Sequence, residues 1–442
     1  MHPGSEPRRS LGLATTTSVV VGNMVGSGVF LLPAALAAYG RYSLWGWGFS
    51  TAGALLLAWM FSDLARRMPR SGGPYAYTRA GLGDFAGFLV AWMYWISIAA
   101  SVAAIAVAFV SYLVPFAPAL AEHRGFGAGA ALLTSWVLTG VNIWGVRAAG
   151  RLQLITVILK LSPLLVLAAA GSLYFAPKLI TAGPQAASPF ASINTCAALT
   201  MWAFVGLECA TVPADRVKDP AKTIPRATLL GTIIAAVVYI ACTTAVMGIV
   251  PAATLEHSNA PLAAAAQALW GGWAGDLIAA AAAVSCFGAL NGWTLMAGQF
   301  AQAVARDQLF PSVFAREIHR GTPAIGLVLS GLIASALIAM NYSRGLVGTF
   351  DVIILIATFF TLVPYMMCAV AEALASGEQA RPLRNALLAS VAFVFALWAA
   401  AGTGQRSLYW GTLIMLAGLP VYAGQKWSRA RQSAAGIASS NH

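Results

Sequence analysis

The chain has 442 residues, of which 59% are hydrophobic and 9% charged. A soluble domain carries about 25% charged residues, so a chain this poor in charge cannot cover a water-exposed surface of its size. The net charge of +12 does not gather in one basic face, as a nucleic-acid partner would require. Lys and Arg sit instead in short loops between apolar runs, which points to the anionic surface of a bilayer.

A short polar stretch with Arg8 and Arg9 precedes the first apolar run. That run exceeds a signal-peptide core and shows no convincing cleavage site, so it reads as a transmembrane helix. A crossing takes about 20 mostly apolar residues. On that criterion twelve segments are predicted, over 12–38, 44–65, 83–114, 127–146, 151–175, 190–212, 226–250, 275–304, 323–341, 350–375, 385–401 and 408–424. The fold class is therefore an all-α membrane protein.

Orientation follows from the basic residues. With the N-terminus on the cytoplasmic side, Arg41, Arg124, Lys178, Arg344 and Arg406 fall outside and Lys160 within a span. The remaining twenty of the 26 Lys and Arg fall inside, which predicts both ends in the cytoplasm.

The two halves share an interruption. Gly26 stands seven residues before Pro33, and Gly206 seven before Pro213, 180 residues further on. Five spans separate the two starts, so the second half would be inverted relative to the first. The division predicted is a terminal stretch 1–11, repeats at 12–175 and 190–375, a helix pair at 385–424 and a cytoplasmic tail 425–442. Matching Gly and Pro breaks in two halves are the best sequence pointer to a transport site.

The first break reads Val21-Gly22-Asn23-Met24-Val25-Gly26-Ser27-Gly28. Its glycines lower the cost of leaving the helix. Backbone N–H groups released there, with the positive end of the following half-helix and the Ser27 hydroxyl, suit a carboxylate. Gly22 and Gly26 also form GxxxG, which read alone is a helix-packing motif. The second break, Trp202 to Glu208, offers carbonyls to an ammonium group.

Glu208 lies deep in a span, where a carboxylate is expensive and is either functional or a neutral structural acid. Lys160, also within a span, would set its charge against the first break or reach the cytoplasmic side. Trp202 and Trp293 could face a cation. The five Cys are scattered in apolar runs and the five His in loops or termini, so no metal site, catalytic cluster or cofactor is expected.

The stretch Gly22 to Pro33 resembles the amino acid–polyamine–organocation superfamily, in particular its basic amino acid/polyamine antiporters. The segments Gly72-Gly73-Pro74-Tyr75-Ala76-Tyr77, Trp202 to Glu208, Gly292-Trp293-Thr294-Leu295 and Phe360 to Tyr365 fit in the same order, and the likeness runs over about 10–425. It implies a five-plus-five inverted repeat with broken helices one and six, two further helices, and often a homodimer.

By that resemblance Met24, Gly26, Ser27 and Gly28 would hold a substrate carboxylate, and the break around Val205 an amino group. Ser97, Ile98, Val102, Ile105, Ala203 and Ala357 would complete the pocket. Trp202 would form an outer gate and Trp293 a middle one. Tyr94, Glu208 and Tyr365 would form an inner gate, Tyr75 would sense pH, and Lys160 would gate or couple protons.

Where arginine-specific members place polar groups, this chain has Val102, Ile105, Ala203 and Ala357. The expected activity is exchange of a cationic amino acid for its decarboxylated amine, arginine and agmatine being the type pair, across an inner membrane. A proton-coupled carrier for neutral amino acids is the alternative. A channel would need a ring of repeated polar groups, and none is apparent.

Overall fold

A computed structural model describes residues 11–26, 28–144, 149–174, 176–180, 188–212, 214, 217–317, 323–374 and 382–440. Helices account for nearly all of them, and an isolated bridge joins Leu11 to Val217. In hydrocarbon each backbone N–H and C=O must be paired within the protein, which a helix does locally. Eleven helices among the described residues are long and apolar enough to cross a bilayer. A further helix, Ala149–Tyr174, has 26 residues and carries the apolar stretch Leu161–Gly171.

The first span is two helices. Helix α1 covers Leu13–Met24, Val25 takes a non-helical φ/ψ of −75/77, and helix α2 covers Gly28–Ala37. Helix α3 follows at Tyr42–Arg67, then α4 at Pro74–Ser111. The latter starts at a proline, whose missing N–H costs nothing at a helix start, and bends at Gly83, where φ is +84. The predicted start at 83 is thus a kink, and the apolar helix continues an arm that begins at Pro74.

Helices α5 (Ala119–Glu122), α6 (Arg124–Trp144) and α7 (Ala149–Tyr174) complete the first half. Helix α8, Pro189–Met201, is capped by the Ser188 hydroxyl, which accepts the Ala191 N–H at 3.1 Å. It gives way to a 3-10 turn at Trp202–Phe204, a non-helical stretch through Gly206, and a second 3-10 turn at Cys209–Thr211.

Helix α9 runs over Pro220–Ile249. Two short helices, α10 (Ala252–Leu255) and α11 (Pro261–Trp270), occupy the region read as a loop. They are too short to cross a bilayer. The rest are α12 (Gly272–Arg306), α13 (Ala324–Asn341), α14 (Gly345–Leu374), α15 (Pro382–Ala401) and α16 (Gln405–Ser440).

Two packing groups emerge. Helix α4 lies along α14, α12 and α13, while α9 gathers α3, α1 and α7. Small residues allow the close approaches. A Cβ added to Gly46 on α3 would fall 2.3 Å from the Cβ of Cys196 on α8, so those helices touch through backbone. Trp45, Phe49, Trp59, Leu133 and Trp144 stay exposed on the outer surface, as lipid-facing side chains do.

Candidate functional site

The two interruptions meet. A Cβ built on Gly28 would lie 3.2 Å from the Cβ of Ala203, and one on Gly206 would lie 3.4 Å from the Cβ of Asn23. Each break therefore packs against the other helix, and neither is a frayed end. At the first, the Gly26 N–H bonds the Met24 carbonyl at 2.7 Å and α2 restarts at Gly28, leaving its first-turn N–H groups without intrahelical acceptors.

At the second break the backbone bonds skip to three-residue spacing, from Val205 to Trp202, Leu207 to Phe204, Cys209 to Gly206 and Thr211 to Glu208. Gly206 has φ +105, a conformation that L side chains rarely adopt. Phe204 braces the turn between the rings of Trp47 and Tyr239, with centroids at 6.1 and 5.7 Å.

A small cavity lies where the breaks meet, lined by Asn23, Met24, Gly26, Gly28, Ile105, Trp202, Val205 and Trp293. Its volume of about 10 Å³ is room for roughly one water, so the site is closed in this conformation. Seven of these eight residues were singled out in the sequence. Asn23 was not, although a carboxamide within an apolar span beside a glycine pair was a visible signal.

Other expected pocket residues lie elsewhere. Val102, Ala203 and Ala357 are buried but off the cavity wall, with Ala203 covered by Gly28. Ile98 is fully buried. Ser97 donates to the Ala357 carbonyl at 3.1 Å and pairs with Thr361, so it ties α4 to α14. Ser27 lies outside the described residues, as does the side chain of Lys160 on α7.

Toward the Arg66–Arg67 end three further buried side chains come together. The hydroxyls of Tyr94 on α4 and Tyr365 on α14 donate to Oε1 and Oε2 of Glu208, which is 0% exposed. Tyr94 packs edge-on to Phe300 and Tyr365 to Phe61, at 5.1 Å each. Pro364 cannot donate a backbone hydrogen bond within α14, immediately before Tyr365.

Further along, the Tyr75 hydroxyl donates to Asp307 at 3.0 Å. Arg67 on α3 bridges Asp63 and Glu372, the latter on α14 and 0% exposed, while Arg384 on α15 reaches Asp63 at 3.0 Å. Glu208 is thus not alone: Glu372 is a second fully buried carboxylate, and unlike Glu208 it has a cation.

A small cavity between two broken helices, in a body built of apolar helices, is the arrangement that secondary transporters use for a substrate site. The chain matches the amino acid permease family over residues 11–404 and belongs to it, among the basic amino acid/polyamine antiporters of the amino acid–polyamine–organocation superfamily.

It is 33% identical over 432 residues to the cadaverine/lysine antiporter of Escherichia coli (strain K12), covering 96% of this chain and 97% of that protein. It is 30% identical over 418 residues to the putrescine transporter PotE of the same strain, covering 93% and 95%. PotE of Haemophilus influenzae is 28% identical over 432 residues, covering 95% and 97%. The chain is accordingly a multi-pass membrane transporter for amino acids or polyamines.

Proposed function

We propose that this protein exchanges a cationic amino acid carrying a primary ammonium side chain for its decarboxylated diamine, by alternating access in an inner membrane with both termini cytoplasmic. The observation that carries the reading is the meeting of the two breaks around Gly26–Gly28 and Trp202–Gly206. Backbone N–H groups at the start of α2 suit a carboxylate, and the turn at Val205 suits an α-amino group.

The chemistry of the wall favours an alkyl chain over a guanidinium. Ile105 and Val205 line the cavity, and among the described residues its rim carries no charged side chain. A guanidinium brings five N–H donors and loses affinity wherever they go unpaired. A methylene chain ending in one ammonium asks less of such a wall, and Trp202 and Trp293 can face that cation. The names of the two Escherichia coli relatives, cadaverine/lysine and putrescine, agree.

In this account 12–175 and 190–375 are inverted repeats that rock about the site. The bonds from Tyr94 and Tyr365 to Glu208 form the gate that shuts one face, Tyr75 locks to Asp307 below it, and Trp202 closes the other face. Lys160 gates or couples protons beside the first break, and the protein works as a monomer or paired in a homodimer.

A competition panel in proteoliposomes tests the substrate. Labelled lysine uptake, driven by internal cadaverine, should be displaced by ornithine and diamines more strongly than by arginine or agmatine. Displacement by leucine or alanine, with cadaverine inert, would establish the neutral amino acid carrier instead.

A further inference from the structure

At the end of the molecule opposite the Glu208 gate lies a vestibule of about 400 Å³. That is within the range of small-molecule sites, roughly 300–1,000 Å³, and far larger than the closed central cavity. Its floor includes Leu199, one helical turn before Trp202 on α8, and Leu355, two residues before Ala357 on α14. Leu199 thus ties the vestibule to the turn that carries Trp202 of the central cavity.

The charges lining it are Glu256 and His257 after α10, Arg344 in the turn before α14, and Asp351 on α14. Asp351 is half-buried, and its Oδ1 is shut off from solvent without a hydrogen-bond partner. Among the described residues neither Asp351 nor Glu256 forms an ion pair, and Arg344 is exposed without one. A buried carboxylate oxygen with no partner costs free energy that a cation would offset.

Tyr39 reports the same field. Its hydroxyl is pushed up to about 12 by burial first, and then by Cys196, Asp351 and Glu256. It stays neutral at physiological pH.

We propose that this vestibule is a second, shallower binding site, which takes an alkylammonium group on Asp351 and Glu256 and an amino acid carboxylate on Arg344. It rests on the cationic-substrate reading above and adds a selectivity to it. A basic amino acid satisfies both poles of the vestibule. A diamine presents a second ammonium to Arg344 and is repelled. The asymmetry helps load the amino acid and release the amine on the same face.

The test compares external and internal KM in right-side-out and inside-out vesicles, for lysine and for cadaverine. Asp351→Asn should raise the external KM of both by about fivefold, the scale of one charge contact in a wet site, and leave the maximal rate and the internal KM unchanged. Arg344→Gln should raise the external KM of lysine and lower that of cadaverine. Glu256→Gln, on a half-buried turn after α10, should act in the same direction as Asp351→Asn and stands in for it if that variant does not fold.

An unchanged external KM in the folded carboxylate variants, or an equal rise on both faces, would overturn the vestibule site. Wild-type vesicles that exchange neither cation would overturn the substrate reading instead.

Discussion

Glu208 is the residue on which the proposed gate rests. Its two carboxylate oxygens each accept a tyrosine hydroxyl, from α4 and from α14, and water does not reach it. Hydrogen bonds to an ionised acceptor are worth about 1.5–3 kcal/mol each, more than neutral ones. Glu208→Gln keeps the shape and replaces one acceptor oxygen with an amide NH2, which cannot accept a tyrosine hydroxyl. If these bonds hold the gate shut, the closed state should lose roughly tenfold to a hundredfold in population. Thiol labelling of Cys209, which is buried next to Glu208, would read this in a variant whose other four cysteines are alanine. Faster labelling in Glu208→Gln is expected. An unchanged rate would mean that the tyrosine bonds are packing alone.

At the scale of elements, the contact between α3 and α14 is held by a buried charge. Glu372 has no exposed side-chain surface, and the Arg67 guanidinium that faces it is 17% exposed. Removing one partner of such a pair leaves an uncompensated charge, at a cost of about 3 kcal/mol or more. Arg67→Ala should therefore lower the melting temperature of the purified protein, and Glu372→Gln added to it should restore most of the loss. A drop that the second change does not repair would mean that Arg67 acts by packing or through Asp63. Sequence reading could not find this pair, because its members stand 305 residues apart and both look like ordinary helix-end charges.

The whole molecule shows which features a linear reading can reach. The breaks were legible because glycine and proline act locally: Gly26 and Gly206 announce lost helicity whatever surrounds them. Glu208 was legible because a carboxylate within an apolar run is conspicuous. The Gly83 kink, by contrast, was read as a helix start, since the arm before it holds too many polar residues to look like a span. Helices α10 and α11 escaped because a search for about 20 apolar residues passes over short helices. The family resemblance puts Ser97 and Ile98 in the pocket, whereas in this closed conformation Ser97 bonds the Ala357 carbonyl on α14 and Ile98 is buried off the cavity wall. Facing directions depend on tertiary packing, which spacing along the chain does not contain.

The central claim is that two interrupted helices, in contact at Gly28–Ala203 and Asn23–Gly206, open to hold one cationic amino acid between them. An experimental structure of the protein with lysine bound tests it most directly. The claim predicts ligand density against the start of α2 and the turn at Val205, with the side chain running toward Ile105 and Trp293. Density elsewhere, or helix running unbroken through Gly26 and Gly206, would contradict it.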